Sequence, residues 1–171
     1  MPTLIDILTR DEHPADRESI RAVNEAAFGR PDEAGLIDRL RSEGATLLSL
    51  VAERNAQIVG HILFSRMYID TPRESIAAVS LAPMAVLPKH QRREVGSDLV
   101  RRGIAELRTR GERIVLVLGH EHYYPRFGFS TRMARNLKSP FPPEAFMALE
   151  LVDGSLSGVH GVVRYPAAFG L

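Results

Sequence analysis

The sequence contains no cysteine. That absence excludes disulfides, thiolate zinc sites and a cysteine nucleophile. Long apolar runs are missing too: none reaches the ~18 residues that a membrane-spanning helix needs. An excess of either charge is also lacking, with 22 basic against 21 acidic residues and a net charge of +1. A dedicated nucleic-acid binder draws its affinity from phosphate contacts, so this balance argues against one. The clustered aromatic platform that single-strand binding uses is missing as well. The N-terminal run MPTLIDILTRDEHP places acids where a signal peptide needs a basic region and then a long apolar core. The expectation is a cytoplasmic protein with neither a membrane nor a nucleic-acid partner.

What is present is an ordinary globular composition, 44% apolar and 25% charged over 171 residues. That length suits a single domain over residues 1–171, burying roughly 70% of the surface of its unfolded chain. The charge is unevenly spread. Residues 11–44 hold nine acids and five arginines, whereas residues 89–113 hold eight bases and four acids. One region favours a cation and the other an anion; the competing reading is two solvated helix faces.

Hydrophobic periodicity predicts the elements. Leu4–Leu8 reads as a short strand. Asp16 precedes an amphipathic helix carrying Ile20, Val23, Ala26 and Ala27, and Pro31-Asp32-Glu33 opens a second with Leu36, Ile37 and Leu40, ended by Gly44. Residues 47–53, 58–69 and 76–87 read as three antiparallel strands separated by Asn55-Ala56-Gln57 and Thr71-Pro72-Arg73. A helix over residues 92–110 buries Val95, Leu99, Val100, Gly103, Ile104 and Leu107. Residues 113–118 form a continuous apolar run, as in a strand covered on both faces. Strand, helix, strand in that order predicts a parallel crossover. Residues 136–144 read as a proline-rich surface loop, and residues 146–152 and 159–165 as two further strands. The sum is an α/β (mixed α+β) domain with about seven strands and three to four helices.

The chemistry should sit where residues 76–87 end and the following helix begins. Lys89, Gln91, Arg92 and Arg93 precede Gly96 and Ser97 there. Backbone amides at a helix N-terminus lack internal acceptors, and the helix dipole adds positive potential. With two arginines beside it, this is a natural diphosphate site. The alternative is a solvated basic helix start.

Val86-Leu87-Pro88 followed by Gln91-Arg92-Arg93-Glu94-Val95-Gly96 resembles the acyl-CoA-binding motif of the GNAT superfamily of N-acetyltransferases. Tyr123-Tyr124-Pro125-Arg126-Phe127-Gly128-Phe129 is similar to that family's Tyr-x-x-x-Gly-Phe, and Arg-Tyr-Pro-Ala-Ala-Phe-Gly near the C-terminus fits a bacterial subfamily. The resemblance spans nearly the whole chain. It implies the GNAT acyl-CoA N-acyltransferase fold, a twisted mixed sheet flanked by helices. It also implies acetyl-CoA as cosubstrate, no metal, and a small-molecule or protein amine as acceptor. A homodimer is allowed, though no feature of the sequence decides it.

In the reaction so implied, a neutral primary amine attacks the thioester directly. An alkyl amine has a pKa near ~10, so a base is needed. By this resemblance Met84, Ala85 and Val86 supply amides to the oxyanion. Gln91, Arg92, Arg93, Glu94, Val95, Gly96 and Ser97 hold the cofactor, and Tyr124 donates to the leaving thiolate. Tyr124 that only packs against CoA is the competing reading, and Tyr123 reads as structural. Glu121 is the candidate base, directly or through water, against a solvated loop; Glu53 is an outside candidate. His120-Glu121-His122 lacks metal-ligand spacing. His61, beside Gly60 in a strand, reads as a satisfied core histidine. Glu25, Asp32 and Glu33 are candidates for attracting a cationic acceptor.

The departure from the motif is Glu94, which stands where the family has its first glycine. Glycine lets the backbone approach a diphosphate, while glutamate adds a Cβ and a negative charge. Like charges ~5 Å apart cost roughly 1–3 kcal/mol at a surface-like dielectric. Helical angles at Glu94, with its side chain turned to Arg92, Arg93 or Arg101, would keep the loop intact and weaken CoA binding. The alternative function is a non-catalytic acyl-CoA-binding or regulatory module.

Overall fold

The computed structural model describes residues 7–171. The expected strand over Leu4–Leu8 lies largely outside the described residues; the strand that is described, β1, runs Leu8–Asp11. Next come helices α1 (Arg17–Phe28) and α2 (Asp32–Ser42), then strands β2 (Thr46–Arg54), β3 (Gln57–Asp70) and β4 (Ser75–Val86). Helix α3 (Val95–Thr109) leads to β5 (Ile114–Leu118), β6 (Leu137–Lys138), β7 (Phe146–Glu150) and β8 (Gly161–Arg164). The sheet is mixed and eight-stranded, in the order β1-β2-β3-β4-β5-β7, with β8 pairing both β3 and β6. The eighth strand is β6, a two-residue strand inside the segment expected to be loop; its parallel pairing of Leu137 with Gly161 secures it.

The described residues divide into two compact units, residues 7–63 with 83–103, and residues 64–82 with 104–171. Strands β3 and β4 each contribute residues to both.

In the first unit, α1 buries Ile20 and Val23, and α2 buries Ala34, Ile37 and Leu40. Ala26, expected on the buried face of α1, is exposed. Asn24 is buried in its neighbourhood instead, and donates to the Ile20 carbonyl at 2.9 Å and toward His61 Nδ1 at 3.3 Å. Strands β2 and β3 turn through Asn55 and Ala56, both at positive φ (50° and 61°). Such a two-residue turn matches the twist of paired strands. Helix α3 lies close on β3 at Gly60, where an added Cβ would stand 3.0 Å from Val95 Cγ1 and 3.1 Å from Leu99 Cδ1.

In the second unit, β4 and β5 pair parallel, Val79 with Val115 and Ser80 with Leu116, as the strand–helix–strand order predicts. β5 is buried from Ile114 to Val117 and pairs antiparallel with all five residues of β7. Met67, Ile69, Leu116, Phe146 and Ala148 anchor one hydrophobic cluster here, which also takes in Ala134 and Leu137. The Asp70 carboxylate receives Arg164 Nε at 2.8 Å and the Ser75 hydroxyl at 2.6 Å, tying the ends of β3, β4 and β8.

Candidate active site

The first unit carries the diphosphate candidates. Pro83 lies within β4 and has no N–H, so it removes one donor from the ladder just before Met84. Ala85 is buried, while Met84 and Val86 are partly exposed. Beyond Val86 the chain turns: the Leu87 amide donates to the Val59 carbonyl at 2.9 Å, and the His90 amide to the Leu87 carbonyl at 2.8 Å. The Gln91 side chain reaches back to the Val86 carbonyl at 2.9 Å, so its amide group braces the loop. Arg92, Arg93 and Glu94 are exposed, whereas Val95 and Ser97 are buried. Only backbone or polar edges of the last two can meet a ligand.

The helix begins three residues later than its pattern suggested, and the reason is conformational. Arg92 and Glu94 have φ of 62° and 65°, the left-handed region. Neither residue can belong to a right-handed helix there, and the helical angles expected for Glu94 do not occur. The left-handed conformation costs a non-glycine residue roughly 1–2 kcal/mol. Two such residues, one apart, bend the backbone sharply just ahead of the helix, and alternation of left- and right-handed residues is the geometry that gathers amides into an anion-binding nest. The Glu94 carbonyl accepts the first helical bond, from the Asp98 amide at 2.9 Å. The amides of Val95 and Gly96 lie in the turn that has no intrahelical acceptor. The Glu94 side chain is 62% exposed, and its carboxylate faces Arg101 at 3.6 Å, one of the three arginines considered from sequence.

The second unit carries the proton-transfer candidates. After β5, the turn Tyr124–Phe127 places Tyr124 in an aromatic cluster. Its ring meets Tyr123 edge-on at 5.1 Å and Phe129 at 5.7 Å. Tyr124 is buried, and burial, with a smaller contribution from Tyr123, pushes its hydroxyl well above the ordinary tyrosine range. It therefore holds its proton across neutral and moderately alkaline pH. Gly119 makes room for the ring, because a Cβ there would lie 3.0 Å from Tyr124 Cδ2 and nearer still to Cε2. Tyr123 meets Phe127 edge-on and lies under the Arg126 guanidinium, in keeping with a packing role.

Glu121 and His122 are exposed and face each other at 3.4 Å. Both line a cavity of about 370 Å³ with Phe129, Thr131, Glu144 and Met147. Glu53 is engaged by Arg10 at 3.1 Å. Glu25 pairs with Arg21, and Glu33 with Arg30, so these acids are largely neutralised by arginines of their own region. His61 is wholly buried: Asn24 donates toward its Nδ1, which leaves Nε2–H to donate to Ser49 Oγ at 2.9 Å. Burial, with a smaller effect of Arg41, lowers its pKa to about 3 and keeps it neutral, a satisfied core histidine. Among the described residues, no three His, Asp or Glu stand together as a metal site, and no helix is long and apolar enough to cross a membrane.

Sequence reasoning missed Pro83 and Gly119. A proline inside an apolar strand pattern signals an interrupted ladder. A glycine at a strand end, five residues before a tyrosine, is a sign of a ring in close approach.

Comparison with known proteins converges on one family. The model of the acetyltransferase (GNAT) domain matches residues 9–132. The uncharacterized N-acetyltransferase YhbS of Escherichia coli is 34% identical over 166 residues, covering 95% of this chain and 98% of that protein. The uncharacterized N-acetyltransferase YjhQ of the same species is 40% identical over 138 residues, 78% of this chain and 76% of its own. Among solved structures, YhbS in complex with CoA aligns with a TM-score of 0.91 at 32% identity, over 100% of this chain and 96% of that one. A GNAT family acetyltransferase from Brucella melitensis in complex with acetyl-CoA aligns at 0.81 and 35% identity, over 96% and 99%. With the motif at α3, the tyrosine turn after β5 and these matches in agreement, the chain belongs to the GNAT family of acetyltransferases.

Proposed function

We propose that residues 1–171 act as one catalytic domain that moves an acetyl group from acetyl-CoA to a primary amine by direct attack on the thioester. The observation that carries this reading is the pair of left-handed residues, Arg92 and Glu94, ahead of α3. They bend the loop in the manner of an anion-binding turn even though glutamate replaces the motif's first glycine, so the donor set fits the cosubstrate. The relatives crystallised with CoA and acetyl-CoA support the same cosubstrate. They do not favour a non-catalytic module.

When bound, the cosubstrate supplies an activated acetyl thioester. The chain's residues then divide the work. Arg92, Arg93 and the amides of Val95 and Gly96 hold the diphosphate, while Gln91 braces the loop from below. Amides of Met84 to Val86 donate to the carbonyl oxygen as it gains charge, after Pro83 has removed one competing ladder bond. Tyr124 keeps its proton and donates it, as a hydrogen bond, to the departing sulfur. Glu121, exposed to solvent, relays the amine proton through water.

The test is a thiol-release assay with acetyl-CoA and a panel of primary amines. The chain has no cysteine, so every thiol a chromogenic reagent detects comes from CoA. Amine-dependent release, lost in Tyr124→Phe, is expected. Release that does not depend on any amine overturns the proposal.

A further inference from the structure

The segment between Ser130 and β6 has a regularity the reaction does not explain. Backbone bonds join the Ala134 amide to the Thr131 carbonyl, Arg135 to Arg132, and Leu137 to Ala134, at 3.1, 3.3 and 3.0 Å. These are successive i to i+3 turns, in which residues three apart line up on one side. Ala134 and Leu137 point into the core. The same turn brings Arg132 and Arg135 to one side, and Lys138, three residues on in β6, joins them at the cavity; all three are exposed. All three line one cavity of about 670 Å³, with Phe141 and Phe146 among its walls. The volume suits a small molecule. Glu144 is the one acid in that lining, and among the described residues the three cations make no side-chain ion pair or hydrogen bond. Elsewhere Arg10, Arg21, Arg30, Arg41, Arg66 and Arg164 are each matched to a carboxylate.

Three cations without counter-ions, over an apolar wall, focus positive potential into a concave space. Thr131 and Glu144 are shared with the smaller cavity that Glu121 and His122 line. An acidic recess therefore adjoins a cationic one within the same unit.

We propose that the acceptor is an amine that also carries an anionic group, carboxylate or phosphate, with the anion held by Arg132, Arg135 and Lys138 and the amine beside Glu121 and Glu144. The assignment rests on the acetyltransferase reading for what happens to the amine, but the anion site has its own readout. Arginine forks match either oxyanion, so the two sources share one chemistry. The two arginines also border a neighbouring depression with Met133 and Leu156, which Lys138 does not line.

The experiment is an NMR titration of the CoA-saturated protein with ω-amino carboxylates, each paired with the n-alkylamine of equal chain length, and with phosphoethanolamine against ethanolamine. Thiol release from acetyl-CoA is followed for the same pairs. At least one probe that carries the anion is expected to bind about tenfold more tightly than the partner amine that lacks it. That ratio should fall toward one in the Arg132→Ala/Arg135→Ala double variant and invert in Lys138→Glu. The carboxylate and phosphate pairs tell the two sources apart. Equal binding of every pair, including equal absence of binding, overturns the proposal. So does a double variant whose only loss is affinity for acetyl-CoA, which would place the cations on the cosubstrate. If the anion preference holds and no amine releases thiol, the anion site stands and the acetyl-transfer reading falls.

Discussion

The ring of Tyr124 occupies the space that a side chain on Gly119 would need. The strand end and the Tyr124 hydroxyl are therefore one construction: a glycine follows β5, so the tyrosine five residues on packs against its backbone. Gly119→Ala should displace the ring, because the clashing atoms belong to a rigid aromatic. Overpacking of this kind costs about 1–3 kcal/mol. The expected outcome is a lower kcat with acetyl-CoA affinity retained, read by steady-state kinetics beside calorimetry.

Tyr124→Phe removes the hydroxyl and keeps the ring, so stability should change little. A hydrogen-bond donor aimed at charge that develops in the transition state contributes about 10²–10³-fold, and a loss of kcat in that range is expected. Burial raises the hydroxyl's pKa, so the donating form persists through pH 10. Wild-type kcat should therefore show no alkaline fall attributable to this residue below pH 10, and the variant's profile should keep the wild-type shape there. A descending limb near pH 9 that disappears in Tyr124→Phe would contradict the assignment.

Much of this was legible in the sequence, for identifiable reasons. β3 and β4 were found because their apolar patterns are long and the Asn55-Ala56 and Thr71–Arg73 breaks are sharp. Helix α3 showed its buried face in full, from Val95 to Leu107. Its first turn was misread because Arg92 and Glu94 carry no residue-level sign of a positive φ; side chains that favour a helix sit where the backbone leaves it. β6 was missed since two residues are too few for a pattern, and Asn24 since a polar residue on an amphipathic helix is expected to face water. The site residues were read through the family resemblance, while the meeting of Arg132, Arg135 and Lys138 at one cavity depends on turns that hydropathy does not reveal.

Glu94 and Arg101 form a testable couple. Their exposed pair is worth little in stability, ~0–1 kcal/mol. If the loop ahead of α3 holds the diphosphate as proposed, the larger effect of the pair falls there, because Arg101 offsets the carboxylate's charge. Arg101→Ala should weaken acetyl-CoA binding in the native background and do so less when Glu94 is already glycine. A double-mutant cycle by calorimetry measures this coupling; strictly additive effects would remove it.

His61 predicts a stability window. Its pKa is near 6.5 when unfolded and about 3 when folded, so the unfolded state binds the proton first. The stability this neutral histidine contributes is complete above pH 6.5 and is lost as pH falls toward 3. The loss is about 1.4 kcal/mol per pH unit within that window. Denaturant unfolding at pH 7, 5.5 and 4 should show a steeper acid decline in the wild type than in His61→Gln. Equal slopes would mean that other groups set the acid sensitivity.

Calorimetric titration of acetyl-CoA into the wild-type protein and into Glu94→Gly tests the account most directly. Glycine relieves the left-handed strain and removes a negative charge beside the diphosphate. Binding by both is predicted, roughly three- to tenfold tighter in the variant, with the variant also melting ~2–4 °C higher. Failure of both proteins to bind acetyl-CoA would contradict the assignment of the α3 loop as the cosubstrate's diphosphate site, and with it the proposed reaction.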